Sequence, residues 1–303
     1  YGISSRNTGD VALLMISVKA IFAYLLYALL AVALFLILLF PDQAIKDYVD
    51  GRLATIDPSL RMVTKTIRPS LPPGLKMIDI DLNRDGVRLA HFEDARVSPD
   101  LATLLQDKKQ VRFQAHIADG TINGRATMET TGPSGPLRVE ADIAEIRLDK
   151  LDAIKTNVPF TLTGSLKGRM THDGTRAPLG MTSGLLTVPD LHITLKAPFF
   201  GITELVMDQT DADFSLSGGN LRLKSLSFDG PMLEGKITGT IELRHPFEQS
   251  RLNLTGNAKP RPELVARLQE TLPKGIVNTQ TLGNRGLTFR VRGSIDNPDM
   301  SMR

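Results

Sequence analysis

The sequence predicts a mainly β protein, with one N-terminal transmembrane helix followed by a large curved antiparallel β-sheet, barrel- or taco-like, and a few short helices. Three observations predict this fold. Residues 21–40 form an uncharged apolar run, apolar and polar residues alternate over much of the remaining chain, and Gly-containing turn signals separate the alternating segments. Alternation with a period of two is typical of strands with one apolar and one polar face.

The composition excludes several classes of protein. With 303 residues, 42% hydrophobic and 23% charged, the chain has the apolar content of a folded protein. It contains no Cys, which rules out disulfides, thiolate metal sites and a cysteine nucleophile. Its net charge is only +3, and its basic and acidic residues are scattered along the chain. We therefore expect no nucleic-acid partner.

The apolar run from Ile21 to Phe40 predicts a membrane anchor. At about 1.5 Å per residue, its twenty residues span roughly 30 Å, the thickness of a bilayer's hydrocarbon core. The run ends in Leu-Leu-Phe-Pro without a small-residue cleavage site, which favours an uncleaved signal anchor over a cleaved signal peptide. The residues expected to form the anchor include Ile21, Phe22, Leu25, Leu26, Leu29, Leu30, Leu34, Phe35, Leu38 and Phe40.

The charged residues beside this anchor predict its orientation in the membrane. Arg6 and Lys19 precede it against the single acid Asp10, which predicts a cytoplasmic segment over residues 1–20 and a single pass. Apolar residues then recur at helical spacing over 41–57, which indicates an amphipathic juxtamembrane helix. Its apolar stripe packs on the domain behind it, lies on the outer leaflet or joins a partner helix. Residues 58–303 form the β-rich domain.

The alternating segments predict the strands. They are Val111–Ile117, Leu137–Ile143, Phe160–Met170, Leu233–Leu243, Leu252–Gly256 and Leu287–Ile295. Turn signals at Asp85-Gly86 and Asp119-Gly120 predict hairpins. Short helices are expected from Ser98 to Leu105 and near 149–155, and a longer one over Arg261–Leu272.

A sheet with one apolar face must cover that face. It closes into a barrel, packs on a second sheet, or holds an apolar ligand, and apolar residues facing a core or a lipid look alike in sequence. The residues expected in this groove or core are Val111, Phe113, Ile117, Phe160, Leu162, Leu166, Ile237, Ile241, Leu252, Leu254, Phe289 and Val291. The adjacent Phe199 and Phe200 either plug the end of the sheet or form a partner contact.

Catalytic motifs are not found in the sequence. The five histidines, His91, His116, His172, His192 and His245, lack the i, i+2 or i, i+4 spacing of a metal pair, and we expect solvated strand histidines. The stretch from Asp79 to Gly86 lacks the final Glu of a calcium loop, and Asp208, Asp211 and Asp213 are read as a solvated cluster. We therefore expect no enzyme activity, no metal and no cofactor.

Short motifs, in order along the chain, resemble a known family. They are Phe40-Pro41 ending the anchor, Leu71-Pro72-Pro73-Gly74-Leu75 opening a strand, Val97-Ser98-Pro99-Asp100-Leu101, and Val111-x-Phe113 running to Asp119-Gly120-Thr121-Ile122-Asn123-Gly124. This order resembles the start of the type II secretion system protein N (GspN) family. The stretch from Gly219 to Leu254 and the closing Val291-Arg292-Gly293-Ser294-Ile295-x-x-Pro298 resemble the C-terminal repeats of AsmA-like envelope proteins.

The resemblance implies a bacterial inner-membrane protein whose bulk is periplasmic. Its first implication is a non-enzymatic structural or interaction subunit of a type II secretion system, with other secretion subunits as partners and a homo-oligomer as a further alternative. Its second implication is an AsmA-like module that binds or transfers lipid on the apolar concave face of the curved sheet.

Overall fold

The computed structural model describes residues 42–56, 59–70, 73–103, 105–129, 136–152, 160–175, 180–199, 202–244, 246–271 and 286–302, and the single positions 20, 23, 24, 26, 27 and 154. The predicted transmembrane helix, apart from four of these single positions, and the predicted cytoplasmic segment, apart from position 20, lie outside the described residues. Within the described part of the chain, no helix combines the length and hydropathy needed to cross a bilayer.

The described chain is mainly β, as the alternation predicts, and its strands form one large antiparallel sheet. The strands are β1 (Leu60–Ser70), β2 (Gly74–Arg84), β3 (Val87–Pro99), β4 (Lys108–Ile117), β5 (Gly120–Glu129), β6 (Leu137–Arg147), β7 (Phe160–Thr163), β8 (Ser165–Asp173), β9 (Met181–Phe199), β10 (Ile202–Ser217), β11 (Asn220–Asp229), β12 (Leu233–Glu242), β13 (Arg251–Pro260), β14 (Leu287–Ser294) and β15 (Pro298–Met302).

The sheet is a meander in which each strand pairs with the next along the chain. Only β7 lies off this path, because it pairs with β9 beside β8. The sheet is curved and open, with β1 and β15 at opposite ends of the strand order. In the described residues the sheet therefore neither closes into a barrel nor packs on a second sheet.

Two α-helices accompany the sheet. Helix α1 (Asp42–Ile56) lies where the periodicity predicts a helix and contacts β1, in agreement with packing on the domain behind it. Helix α2 (Pro262–Thr271) begins with Pro at its first position and buries Leu264 at the end of β13. The shorter predicted helices contain the 3-10 turns Leu101–Thr103 and Leu148–Lys150, and Asp152 and Ile154 after the second turn are α-helical.

Three strand residues have a left-handed backbone. Asp79, Glu145 and Asp190 have φ of 52°, 56° and 47° within β2, β6 and β9, and they are skipped in the pairing with β1, β8 and β10. At Glu145 the register with β8 also shifts by one residue, between the pairs Ile143–Gly168 and Ile146–Leu166. A β-bulge of this kind increases the local twist and bends the strand near its end.

Gly164 divides the predicted strand Phe160–Met170 into two. Its φ of 151° is a conformation that residues with a side chain rarely adopt, and it separates β7 from β8. Both halves pair with β9, so the chain bends without leaving the sheet.

Candidate functional site

The pairing register places nearly all the apolar strand residues on one face of the sheet, which we call the apolar face. Val111, Phe113, Ala115 and Ile117 of β4 stand opposite Ala126, Gly124, Ile122 and Gly120 of β5. The same face continues without interruption through β6 and β8 to β15. Polar residues occupy the alternate positions, so the other face is the polar face.

The apolar face is buried at one end and exposed at the other. We call the end that holds the turn between β4 and β5 and the last residues of β6 the closed end. There Ile117, Ile143 and Ile146 are 4–9% exposed. At the open end, where β5 leads into β6, Met128 and Leu137 are 44% and 42% exposed. The exposure therefore rises along the same strands from one end to the other.

The closed end is covered by the connection between β6 and β7. Leu148 is buried there with Val188, Leu191 and Met207, and Leu151 packs against both this cluster and the neighbouring cluster around Ile146. This connection, which we call the cap, covers only the closed end, and the rest of the apolar face is half-buried. Both clusters of buried apolar residues in the described structure thus lie at the closed end.

The residues predicted for a groove or core divide between these two regions. Ile117 is buried, and Leu162 and Leu166 pack against the closed-end clusters, with Phe160 beside Leu195 on the neighbouring strand. The other predicted residues are half-buried on the rest of the face: Val111, Phe113, Ile237, Ile241, Leu252, Leu254, Phe289 and Val291.

Four phenylalanine rings lie over glycines of the adjacent strand. The cross-strand pairs are Phe113–Gly124, Phe214–Gly184, Phe228–Gly235 and Phe289–Gly256. A Cβ atom at each of these glycines would lie 2.3–2.6 Å from the ring's Cζ atom. The rings therefore lie across the backbone of the adjacent strand, and they project less from the apolar face than upright phenylalanine side chains would.

Polar side chains are few on the apolar face of β4–β15. Thr210 is one, and its hydroxyl is buried with no hydrogen-bond partner in the described structure. Near the open end are Lys109, which stands opposite Met128, and His172, whose Nδ1 lies 3.0 Å from the Thr182 hydroxyl. Charge is therefore confined to the margin of the described apolar face.

The histidines on the polar face are partly exposed, and each also pairs with a carboxylate. His91 lies 2.7 Å from Asp81, His116 lies 2.7 Å from Asp94, and His192 lies 2.9 Å from Glu204. Each pair joins adjacent strands. The described residues contain no group of three or more His, Asp or Glu that could hold a metal ion, and His245 lies outside them.

The acidic clusters also have protein partners. Asp79 pairs with Lys65 at 3.2 Å, Asp213 pairs with Lys224 at 2.9 Å, and Asp211 accepts a hydrogen bond from the Thr187 hydroxyl at 2.6 Å. These carboxylates join neighbouring strands on the polar face.

An open depression of about 720 Å³ lies on the polar face across β4, β5, β6 and β8. Its charged groups neutralise one another, with Arg169 and Asp142 2.7 Å apart and Arg125 and Glu140 3.6 Å apart. The hydrogen bond with Asp142 raises the pKa of Arg169 above its ordinary value.

Asp94 predicts a pH-dependent contribution to stability. Partial burial favours a higher pKa, but hydrogen bonds from Lys76 and His116 outweigh it and hold the pKa of this carboxyl below its ordinary value. A group with a lowered folded pKa stabilises the fold above its unfolded pKa, and this stabilisation is lost as the pH falls through the folded pKa. Asp94→Asn should therefore lower the free energy of unfolding by about 1 kcal/mol at pH 7 and by much less at pH 3.

Urea denaturation of the full chain at the two pH values measures this difference. The control is Glu93→Gln, which changes the exposed neighbour of Asp94 and should have little effect at either pH. An equal loss for Asp94→Asn at pH 3 and pH 7 would show that the pairs with Lys76 and His116 contribute nothing.

Comparison with known proteins found no family model, curated protein or solved structure that matches this chain. Two predicted sites lie outside the described residues. They are the anchor, of whose ten named residues only Leu26 is described, and the side chains of Phe199 and Phe200.

Proposed function

We propose that this protein is a non-enzymatic envelope protein that binds the acyl chains of lipids on the apolar face of its sheet. The observation that carries this proposal is the gradient of exposure along that face. A face needed only for folding would be buried along its whole length, whereas this one is covered at the closed end and half-exposed beyond it.

The dimensions of the open part suit an acyl chain. From Ile122 to Met128, β5 extends about 20 Å at about 3.3 Å per residue. One leaflet of a bilayer contributes about 15 Å of hydrocarbon. The Phe–Gly pairs keep the surface low, and Lys109 at the open end offers a cation to an acidic headgroup.

The predicted anchor and the resemblance to AsmA-like repeats give independent support from the sequence. The anchor would hold the sheet beside a bilayer, where lipid is the most abundant apolar ligand. We infer a single-pass inner-membrane protein with its sheet in the periplasm.

Photocrosslinking tests this proposal. The full chain is purified with a phospholipid that carries a diazirine on its acyl chain, and the crosslinked peptides are identified by mass spectrometry. We expect crosslinks in β4–β6. Ala126→Arg should reduce them at least about tenfold, because a charge on the acyl site costs more than 1.4 kcal/mol.

Thr127→Arg is the matched control, since it places the same side chain one residue away on the polar face of β5. It should leave the crosslinks within about twofold, and melting temperatures verify that both variants are folded. Crosslinks confined to residues 21–40, or equal loss in both variants, would contradict acyl binding by the sheet.

A second candidate is a structural subunit of a type II secretion system, which the resemblance to the GspN family favours. The observation that supports it is the edge strand β15, which pairs with β14 and has no second strand partner among the described residues. An unpaired edge offers main-chain groups to a strand of another protein. A photocrosslinker at Ser301 should then capture other secretion subunits, whereas one at Thr127 should not; recovery of the chain alone would count against this candidate.

A further inference from the structure

The polar face of the last strands carries a cluster of cations, which we call the basic patch: Arg222, Lys236, Arg251, Arg290 and Arg292. The register places them together. Arg222, Thr240, Asn253 and Arg292 form one row across β11–β14, and Arg290 follows two residues before Arg292 on the same strand. Arg251 stands opposite Ser294, diagonal to Arg292.

The cations of the basic patch outnumber the two carboxylates that stand opposite them, Glu242 and Asp299. None of the five cations forms an ion pair with a described carboxylate. Glu242, which stands opposite Arg251, is held by Arg244 at 2.7 Å. Asp299 stands opposite Arg292 on the edge strand.

The polar face of the strands before the basic patch is more evenly charged. On the polar face of β5–β8, arginines face carboxylates across the strands, as Arg169 faces Asp142. Like charges on neighbouring positions of a sheet are destabilising. Their accumulation on β11–β14 therefore indicates a surface that meets an anion.

We propose that the basic patch binds the phosphate groups of an anionic membrane surface. Arginine and lysine close to such a surface each contribute about a fivefold gain in affinity, and the effect weakens with salt. Asn253, Thr255 and Thr240, which stand between the cations, add neutral hydrogen-bond donors for phosphate oxygens.

A membrane fits the patch better than a single-stranded nucleic acid does. The polar positions of β11–β15 in the described structure carry no aromatic side chain, and stacking of bases on aromatic rings is the usual source of single-strand affinity. The predicted anchor would also place the sheet near phospholipid headgroups.

Arginine footprinting on the full chain tests this proposal. The protein, in a neutral detergent, is mixed with dioleoylphosphatidylglycerol or, at the same mole fraction, with dioleoylphosphatidylcholine. Phenylglyoxal then modifies accessible guanidinium groups, and mass spectrometry gives the rate at each arginine. We expect phosphatidylglycerol to slow the modification of Arg222, Arg251, Arg290 and Arg292 at least about fivefold at low salt.

Internal controls and a variant sharpen the test. Arg125 and Arg138 on β5 and β6, which are paired with Glu140 and Asp173, should be modified equally in both lipids. Arg290→Gln combined with Arg292→Gln should restore the modification of Arg222 and Arg251. Because the patch lies on the face opposite the acyl site, the same double variant should leave the acyl crosslinks in β4–β6 unchanged.

Three outcomes would overturn the proposal. Equal protection by phosphatidylcholine, or no protection by either lipid, would show that the patch does not recognise anionic headgroups. Equal protection by inorganic phosphate in phosphatidylcholine would assign the patch to a soluble anion. Stronger protection by an oligothymidylate at the same phosphate concentration would assign it to a nucleic acid.

Discussion

Met207→Ala should lower the free energy of unfolding by about 2–5 kcal/mol, the usual cost of truncating a large buried side chain to alanine. Met207 is 4% exposed and packs in the closed-end cluster with Leu148, Val188 and Leu191. Its removal would leave a cavity beneath the cap formed by the connection between β6 and β7. Urea denaturation of the full chain in a neutral detergent measures the change.

Leu185→Ala is the matched control for this prediction. Leu185 is also a large apolar residue of the same sheet, but it points to the polar face and is 63% exposed. We expect its truncation to change the free energy of unfolding by about 0.5 kcal/mol or less. Comparable losses for the two variants would contradict a core concentrated at the closed end.

Gly256→Val should lower the free energy of unfolding by about 1–3 kcal/mol, because it overpacks the place where the Phe289 ring lies. A Cβ atom at residue 256 would lie 2.3 Å from Cζ of Phe289 and within 2.9 Å of both Cε atoms. The ring must therefore lift off the strand. Thermal or urea denaturation measures the loss.

A double-mutant cycle isolates the Phe289–Gly256 contact. In a Phe289→Ala background the valine has room, so the second substitution should cost at least about 1 kcal/mol less than it does alone. Gly51→Ala in α1 is the control, since no atom lies within 4 Å of a Cβ there, and it should be neutral or slightly stabilising. Strict additivity in the cycle would mean that the ring does not occupy this place.

These two predictions bear on function through the same division of the sheet. Packing at the closed end contributes to the stability of the fold. The apolar residues at the open end can therefore stay exposed to a ligand. Where the Phe–Gly pairs lie on the half-buried part of the apolar face, the rings project little from it, which suits the acyl chain that we propose as ligand.

The turn between β4 and β5 illustrates how far the sequence could be followed. The pair Asp119-Gly120 predicts a hairpin, and a hairpin is present. The turn, however, is centred on Ala118 and Asp119, both with positive φ, and Gly120 is the first residue of β5. Gly120 is needed for space, because a Cβ there would lie 2.5 Å from the Ile146 backbone nitrogen.

The pairing of His91 shows why the polar contacts could not be predicted. The Asp85-Gly86 turn sets Arg84 opposite Val87, and this symmetry would place His91 opposite Ile80. The register shifts by one residue between Asn83 and Leu82. All pairs farther from the turn are displaced by this shift, and His91 therefore stands opposite Asp81. A shift of one residue exchanges the faces that two strands share, and no sequence signal marked it.

The sequence by itself determined the mainly β class, the helix over 42–56 and the separation of apolar from polar residues along each strand. Each of these follows from local periodicity, which a single segment carries. The tertiary structure decided that the sheet stays open, which end of the apolar face is buried and which charges meet. Those properties depend on register and on the path of the chain between strands, which bring together residues far apart in sequence.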